Sequence, residues 1–338
     1  MIGLRYTITN VPNTVVEEIQ NSYCELQFGP LCCLYRKQSY VLNQRYTSKL
    51  ASSIYYFKFR CDDIVLVTYP KSGTVWMTEI LWAMTHADNL DPNDEEGRPM
   101  FLDKDFLMGI PKDENSPIVQ KFRSVCPGGN PEDGIRIQMA AAATQGQRII
   151  VSHLPFSHHN PTLLDTCKVI YVVRNPRDNC VSYYNHVQML SHYDFQGSLD
   201  DFANLYMEGS VTYGGYWNHL EDALQFNNHQ NLHLVQFEDL KKQSAVELQK
   251  LNDFLQLGLD QQQIDKVVEY TSFASMKERD GKGLRKVGPT TTNPEKGSFF
   301  RKGEAGDWKN KFSADLEKKM QSWITNNSED VDIELQYD

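Results

Sequence analysis

Two stretches, Ile64-Val65-Leu66-Val67 and Lys168 to Val173, are nearly unbroken runs of apolar, mostly β-branched residues, the pattern of strands buried on both faces. The first passes through Thr68-Tyr69 to Pro70, and beyond a short polar loop Val75, Met77, Ile80, Leu81 and Met84 recur at helical spacing. Strand, tight loop and helix are predicted there. The second ends at Arg174-Asn175-Pro176, with Val181, Tyr184 and Val187 on the helix that follows. Shorter strands are predicted at Arg148 to Val151 and at Leu232 to Phe237, the latter leading into an amphipathic helix with Leu248, Leu251, Phe254 and Leu255. The Ala-rich segment Gln138 to Gln145 is helix-prone. Strands alternating with helices predict a single α/β domain, a central mostly parallel β-sheet flanked by helices.

Around this pattern the chain divides into an N-terminal lead-in, 1–60, a main domain, 61–325, and an acidic C-terminal tail, 326–338. The lead-in has weak periodicity, and its Tyr/Cys-rich part, Cys32 to Tyr56, is expected to pack on the body. Asp88 to Pro99 is acidic and turn-rich, a surface loop. Gly281 to Gly303 carries five glycines and two prolines among basic residues. Loops of that length inside a domain are usually functional.

Composition narrows the function. A formal charge of −10 argues against general nucleic-acid binding, which rewards a basic face. No apolar stretch approaches the roughly 20 residues that span a bilayer, and no leader pattern opens the chain, so a cytoplasmic protein is expected. The seven cysteines form no CxxC pair, which points to reduced thiols and to no metal site. Charge is unevenly spread, with ten Lys/Arg against five Asp/Glu from Met276 to Lys311. A basic segment on an acidic protein suggests a local anion site.

Three motifs carry candidate chemistry. Lys71-Ser72-Gly73-Thr74-Val75-Trp76 lies between strand and helix, where backbone N–H groups and the helix dipole favour phosphate or sulfate. Gly73 lets the backbone close on the anion, Ser72 and Thr74 add hydroxyls, Lys71 adds charge and Trp76 a flat face. This is a P-loop-like loop but not a Walker A sequence, because the lysine precedes the glycine; a P-loop kinase is the weakest rival. Arg174, at the carboxyl end of a predicted strand, lies where open α/β sheets bind ligands, and Ser182 follows two helical turns later; an ion pair of Arg174 with Asp178 is the plain alternative. Arg301-Lys302-Gly303, preceded by Phe299-Phe300, suits a phosphate clamp or a solvated basic turn.

Together the TYPKSGT-W loop, the RN-P-R-D segment with VSYY, Thr271-Ser272-Phe273, and RKG--GDWK resemble the cytosolic sulfotransferases, in order and at about the family's spacing, from about Asp62 to Met320. The resemblance implies 3′-phosphoadenosine 5′-phosphosulfate (PAPS) as donor, its product PAP, and no metal. It implies that Lys71 through Trp76 bind the 5′-phosphosulfate, that Arg174, Ser182, Arg301, Lys302 and Gly303 grip the 3′-phosphate, and that Thr271, Ser272, Phe273, Met276, Phe237, Phe299 and Phe300 surround the nucleotide. Ser152-His153-Leu154-Pro155 resembles the family's K-T-H-L-P, which makes His153 the base for an acceptor hydroxyl; Lys71 stabilises the departing phosphate. Phe101, His153, His186, Met189 and Tyr193 are expected to line the pocket of a small hydrophobic acceptor such as a phenol or steroid; as plain core residues Phe101, His186, Met189 and Tyr193 would look the same.

The sequence departs from the family at four places. Val151 stands where a lysine is usual, Val75 replaces a phosphate-binding threonine, and Phe237 replaces a tyrosine. The family's dimer motif, here Lys309 to Lys318, is off pattern at Ser313, Ala314 and Lys318, so a homodimer by that route is doubtful. Two further readings stay open: a dehydratase that forms and eliminates a transient sulfate ester, and a protein that binds PAP or PAPS with little turnover.

Overall fold

The computed structural model describes residues 7–10, 30–35, 38–43, 46–111, 113–190, 195–283, 300–329, 331, 333, 335 and 336, with side chains described at Leu42 and from Tyr46 onward within those spans. Three strands, β1 (Thr7–Asn10), β2 (Pro30–Tyr35) and β3 (Gln38–Asn43), pair antiparallel in that order. This small sheet is an element that weak periodicity did not reveal. Behind it α1 (Ser48–Tyr55) is capped by the Thr47 side chain, and Leu42, Tyr46, Leu50 and Ile54 join the main core cluster.

Five parallel strands form the central sheet: β4 (Ile64–Thr68), β5 (Met100–Phe101), β6 (Ile149–Ser152), β7 (Lys168–Val173) and β8 (Leu232–Gln236), in spatial order β5-β6-β4-β7-β8. Because successive side chains alternate, each strand feeds two cores. Val65, Val67, Ile150, Val169 and Tyr171 face one, while Ile64, Leu66, Ile149, Val151, Ile170 and Val172 face the other. Apolar residues on both faces explain why these strands read as continuous hydrophobic runs.

The helices are α2 (Thr74–Thr85), α3 (Lys104–Met108), α4 (Pro117–Val125), α5 (Ile135–Ala142), α6 (Leu163–Thr166), α7 (Pro176–Met189), α8 (Leu199–Glu208), α9 (Tyr216–Leu224), α10 (Phe237–Lys242), α11 (Ser244–Leu255), α12 (Gln261–Tyr270), α13 (Phe273–Gly281) and α14 (Ala314–Ser328). At the amino end of the sheet, buried Arg148 forks onto Asp63, Nε to Oδ1 at 2.7 Å and Nη2 to Oδ2 at 2.5 Å, tying the starts of β4 and β6 in register. Arg148 itself stands outside the strand expected to include it. Phe237, expected to end a strand, opens α10 instead, and the Ala-rich helix starts earlier, at Ile135. The division drawn at residue 325 falls inside α14, and Leu335 is buried against the main core: an apolar side chain overrides an acidic composition. Residues 284–299 of the glycine-rich segment lie outside the described residues.

The carboxyl ends of β4 and β7 are neighbours, and the chain leaves them in opposite senses, towards β5 and β6 on one side and β8 on the other. That is the switch point where α/β sheets open a crevice. Among the described residues, no helix is long and apolar enough to cross a membrane.

Candidate active site

The loop after β4 is built tightly. Lys71 has φ 68° and Gly73 φ 108°, and the left-handed conformation at a lysine is costly unless its surroundings enforce it. Asn179 of α7 does so: its amide donates to Pro70 O at 2.8 Å and to Ser72 Oγ at 3.0 Å, and its own oxygen accepts from Tyr206. At Gly73 a Cβ would lie 2.7 Å from Phe237 Cδ2. Only glycine fits. The loop delivers the chain to the first turn of α2, which no side chain caps, leaving its N–H groups and dipole for an anion.

Arg174, just past β7, reaches across to this loop. Its Nη1 donates to Lys71 O at 3.0 Å and its Nη2 to Glu304 O at 3.5 Å, while its guanidinium lies over the Phe237 ring, 4.2 Å from the centroid. One side chain thus joins two segments that the sequence singled out separately. The alternative pairing with Asp178 is not the one formed, since Asp178 accepts instead from the backbone N–H groups of Gly306 and Trp308. Arg301 and Lys302 both meet buried Asp307, at 2.6 Å each. Gly303, φ 64°, fits because a Cβ would strike the Phe273 ring, and Phe273 meets Phe300 edge to face.

Two cations crowd this crevice. Burial, with Arg174 second, pushes Lys71 down to about 8, and burial likewise lowers Arg174. Glu238, buried beside them and accepting from Asn175 N, is raised to about 7 by its burial. Arg174 Nε and Trp76 Nε1 are buried with no hydrogen-bond partner. Paired cations weakened by desolvation, unsatisfied N–H groups and an uncapped helix start fit an anionic, aromatic ligand such as a phosphorylated nucleoside.

His153 stands at the end of β6, beside the loop. Its Nδ1 is 3.0 Å from both Thr68 O and Thr68 Oγ1. A carbonyl can only accept, so Nδ1 carries the proton and Nε2 is left to take one. Thr68 Oγ1 in turn meets Thr74 Oγ1 at 2.7 Å, which links His153 to the first residue of α2. Burial, ahead of the opposing charge of Asp103, holds His153 below its ordinary value, so the ring is neutral near pH 7.

Three residues that hold His153 carry no local sequence signal. Buried Asp103 accepts from His153 N at 2.6 Å and from Tyr213 OH at 3.0 Å. Tyr213 adopts φ 73° to reach it and meets the His153 ring edge to face. His219 Nε2 lies 2.9 Å from His153 O and must donate to it, while its Nδ1 accepts from Tyr171 OH at 2.8 Å; burial pushes His219 down to about 3.

The remaining expected site residues divide. Phe101 lies with its ring 6.3 Å from that of His153. Trp76 meets Phe237 edge to face at 5.6 Å. Val75 and Ser182 are half-buried and Met276 is buried. Thr271 Oγ1 is spent on Val267 O, and Ser272 caps α13. His186 and Met189 sit towards the far end of α7, where His186 faces Tyr183 and Met189 is buried. Tyr193 and Phe299 lie outside the described residues.

Residues 61–332 match the family model described as a sulfotransferase domain. A sulfotransferase 1A1 of Rattus norvegicus is 30% identical over 276 residues, covering 81% of this chain and 87% of its own length. That of Mus musculus is 34% identical over 254 residues, covering 75% and 79%. Among solved structures, retinol dehydratase in complex with androsterone and PAP superposes with a TM-score of 0.81 at 22% identity, over 98% of this chain and 99% of that one. A mouse sulfotransferase complexed with PAP gives 0.64 at 24% identity, over 86% and 92%. The match over residues 61–332 and the likeness to these relatives together show that the chain is a member of the sulfotransferase family.

Proposed function

We propose that this protein is a cytoplasmic, PAPS-dependent sulfotransferase acting on the hydroxyl of a small hydrophobic acceptor, with His153 as its base. One observation carries the reading above the others: Arg174 bonds at once to the loop after β4 and to Glu304 in the distant basic segment. Three segments thereby meet around one crevice.

In this reading Lys71 through Trp76 hold the 5′-phosphosulfate, and Arg174, Ser182, Arg301, Lys302 and Gly303 hold the 3′-phosphate, Asp307 yielding its two cations as the ligand arrives. Trp76, Phe237, Thr271, Ser272, Phe273 and Met276 border the base, with Phe299 and Phe300 alongside. When bound, PAPS supplies the sulfuryl group. His153 Nε2 takes the acceptor's hydroxyl proton as the acceptor oxygen bonds to sulfur, and the electron pair of the breaking sulfur–oxygen bond stays on the phosphate beside Lys71. Phe101, next to His153, borders the acceptor; His186, Met189 and Tyr193 complete the proposed pocket.

Calorimetry with PAP on the full chain should register binding, weakened in Arg174→Ala and preserved in His153→Ala. Transfer of ³⁵S from labelled PAPS to phenols, sterols, retinoids and amines should occur in the native protein and vanish in His153→Ala. No heat from PAP would remove the donor, and near-normal transfer by His153→Ala would remove the base. Product analysis separates a stable sulfate ester from an elimination product, and binding without transfer would leave a nucleotide-binding protein.

A further inference from the structure

We propose that Lys104 is the second cation of the reaction site, its ammonium facing the transferred sulfuryl group from the side opposite Lys71. The inference rests on the sulfotransferase reading above and adds to it a residue that no motif contains.

Position 151, where a cation would stand on β6, is a fully buried valine packed into the core with Leu66. Its partner in register on the neighbouring strand is Phe101, which packs against the same cluster and so lies on the same face of the sheet. Lys104 begins α3 three residues later and folds back, its Nζ 4.7 Å above the centre of the Phe101 ring. A cation over an aromatic face is held there by the ring's charge distribution. The preceding residue, Asp103, accepts from the backbone N–H of His153, so the lysine's own backbone is fastened to that of the base.

The strand order completes the geometry. β6, which His153 directly follows, lies between β5 and β4, whose following segments carry Lys104 and Lys71. The segments that carry the two lysines therefore flank that of the base on either side. Both lysines work against the base by disfavouring its protonation, and both appear among the charges that lower it, after burial. The groups facing His153 are these two lysines, the Asp103 carboxylate with Tyr213 on it, and neutral His219 on its carbonyl. Cations on two sides of a base are useful only if negative charge gathers between them, as it does on the oxygens of a sulfuryl group in flight. The hydroxyl proton still passes to Nε2 and the electron pair to the phosphate oxygen.

Two readouts test this on the full chain. In the free protein, NMR titration of the His153 ring, assigned by its loss in His153→Ala, should move to higher pH in Lys104→Met and stay in place in Lys104→Arg. With PAPS and a hydroxyl acceptor, Lys104→Met should lower kcat on the order of 100- to 1,000-fold with PAP affinity unchanged, and Lys104→Arg should keep most of the turnover. Val151→Lys in the Lys104→Met background should restore part of it; if that double variant does not fold, the arginine variant and the titration decide. An unmoved titration with unchanged kcat overturns the proposal, as does a parallel fall in PAP affinity, which marks a structural role. Failure of the native protein to bind PAP would instead sink the sulfotransferase reading, leaving the titration alone to judge the electrostatic bracket.

Discussion

Gly73 shows how much one residue can decide. Its φ of 108° disfavours any side chain, and a Cβ would press on Phe237 at 2.7 Å. Gly73→Ala should cost about 1–3 kcal/mol in backbone strain and abolish most PAP binding by pushing Phe237 out of line, with partial recovery in Gly73→Ala/Phe237→Ala; calorimetry and thermal melting check both. Lys71, at about 8 in the free protein, is raised again when an anion binds. PAP affinity should therefore be full below about pH 8 and decline as pH rises through the bound-state value, with proton uptake above about 8 visible as a buffer-dependent heat. Lys71→Met should erase that dependence. Lys71, Gly73 and Arg174 were legible because their chemistry is written in adjacent residues. Asp103, Tyr213 and His219 were not, since they reach His153 from 50 to 66 residues away along the chain, and no local pattern records a contact of that kind.

At the level of elements, the buried parallel strands β4 and β7 announced themselves, whereas two-residue β5 is too short for any periodicity and β1 to β3 lack one. Phe237 was read into a strand because aromatic residues favour strands, yet a helix starts at that residue, with its ring against Gly73. The connection between α7 and the segment before α14 rests on Asp178, whose two oxygens accept from Gly306 and Trp308. Asp178→Ala should destabilise the fold by on the order of 3 kcal/mol, the scale of losing charge-assisted hydrogen bonds, and should loosen PAP binding without moving the His153 titration. Melting curves and calorimetry distinguish this from damage around His153.

For the molecule as a whole, the α/β class and the location of the crevice followed from the alternation of strands and helices, while the strand order, which sets the segments carrying Lys104 and Lys71 on either side of the strand before His153, could be learned only from the folded chain. A ligand that bridges three distant segments should stabilise the entire domain. At a PAP concentration 100-fold above its Kd the gain is about 2.7 kcal/mol, to be seen as a rise in Tm of several degrees that disappears in Arg174→Ala. Arg174 reaches to Glu304, 130 residues further along the chain. During synthesis on the ribosome a nucleotide held in this way would meet its full grip only after that distant segment has emerged, so that a product terminated before it would neither retain the ligand nor gain its protection against degradation.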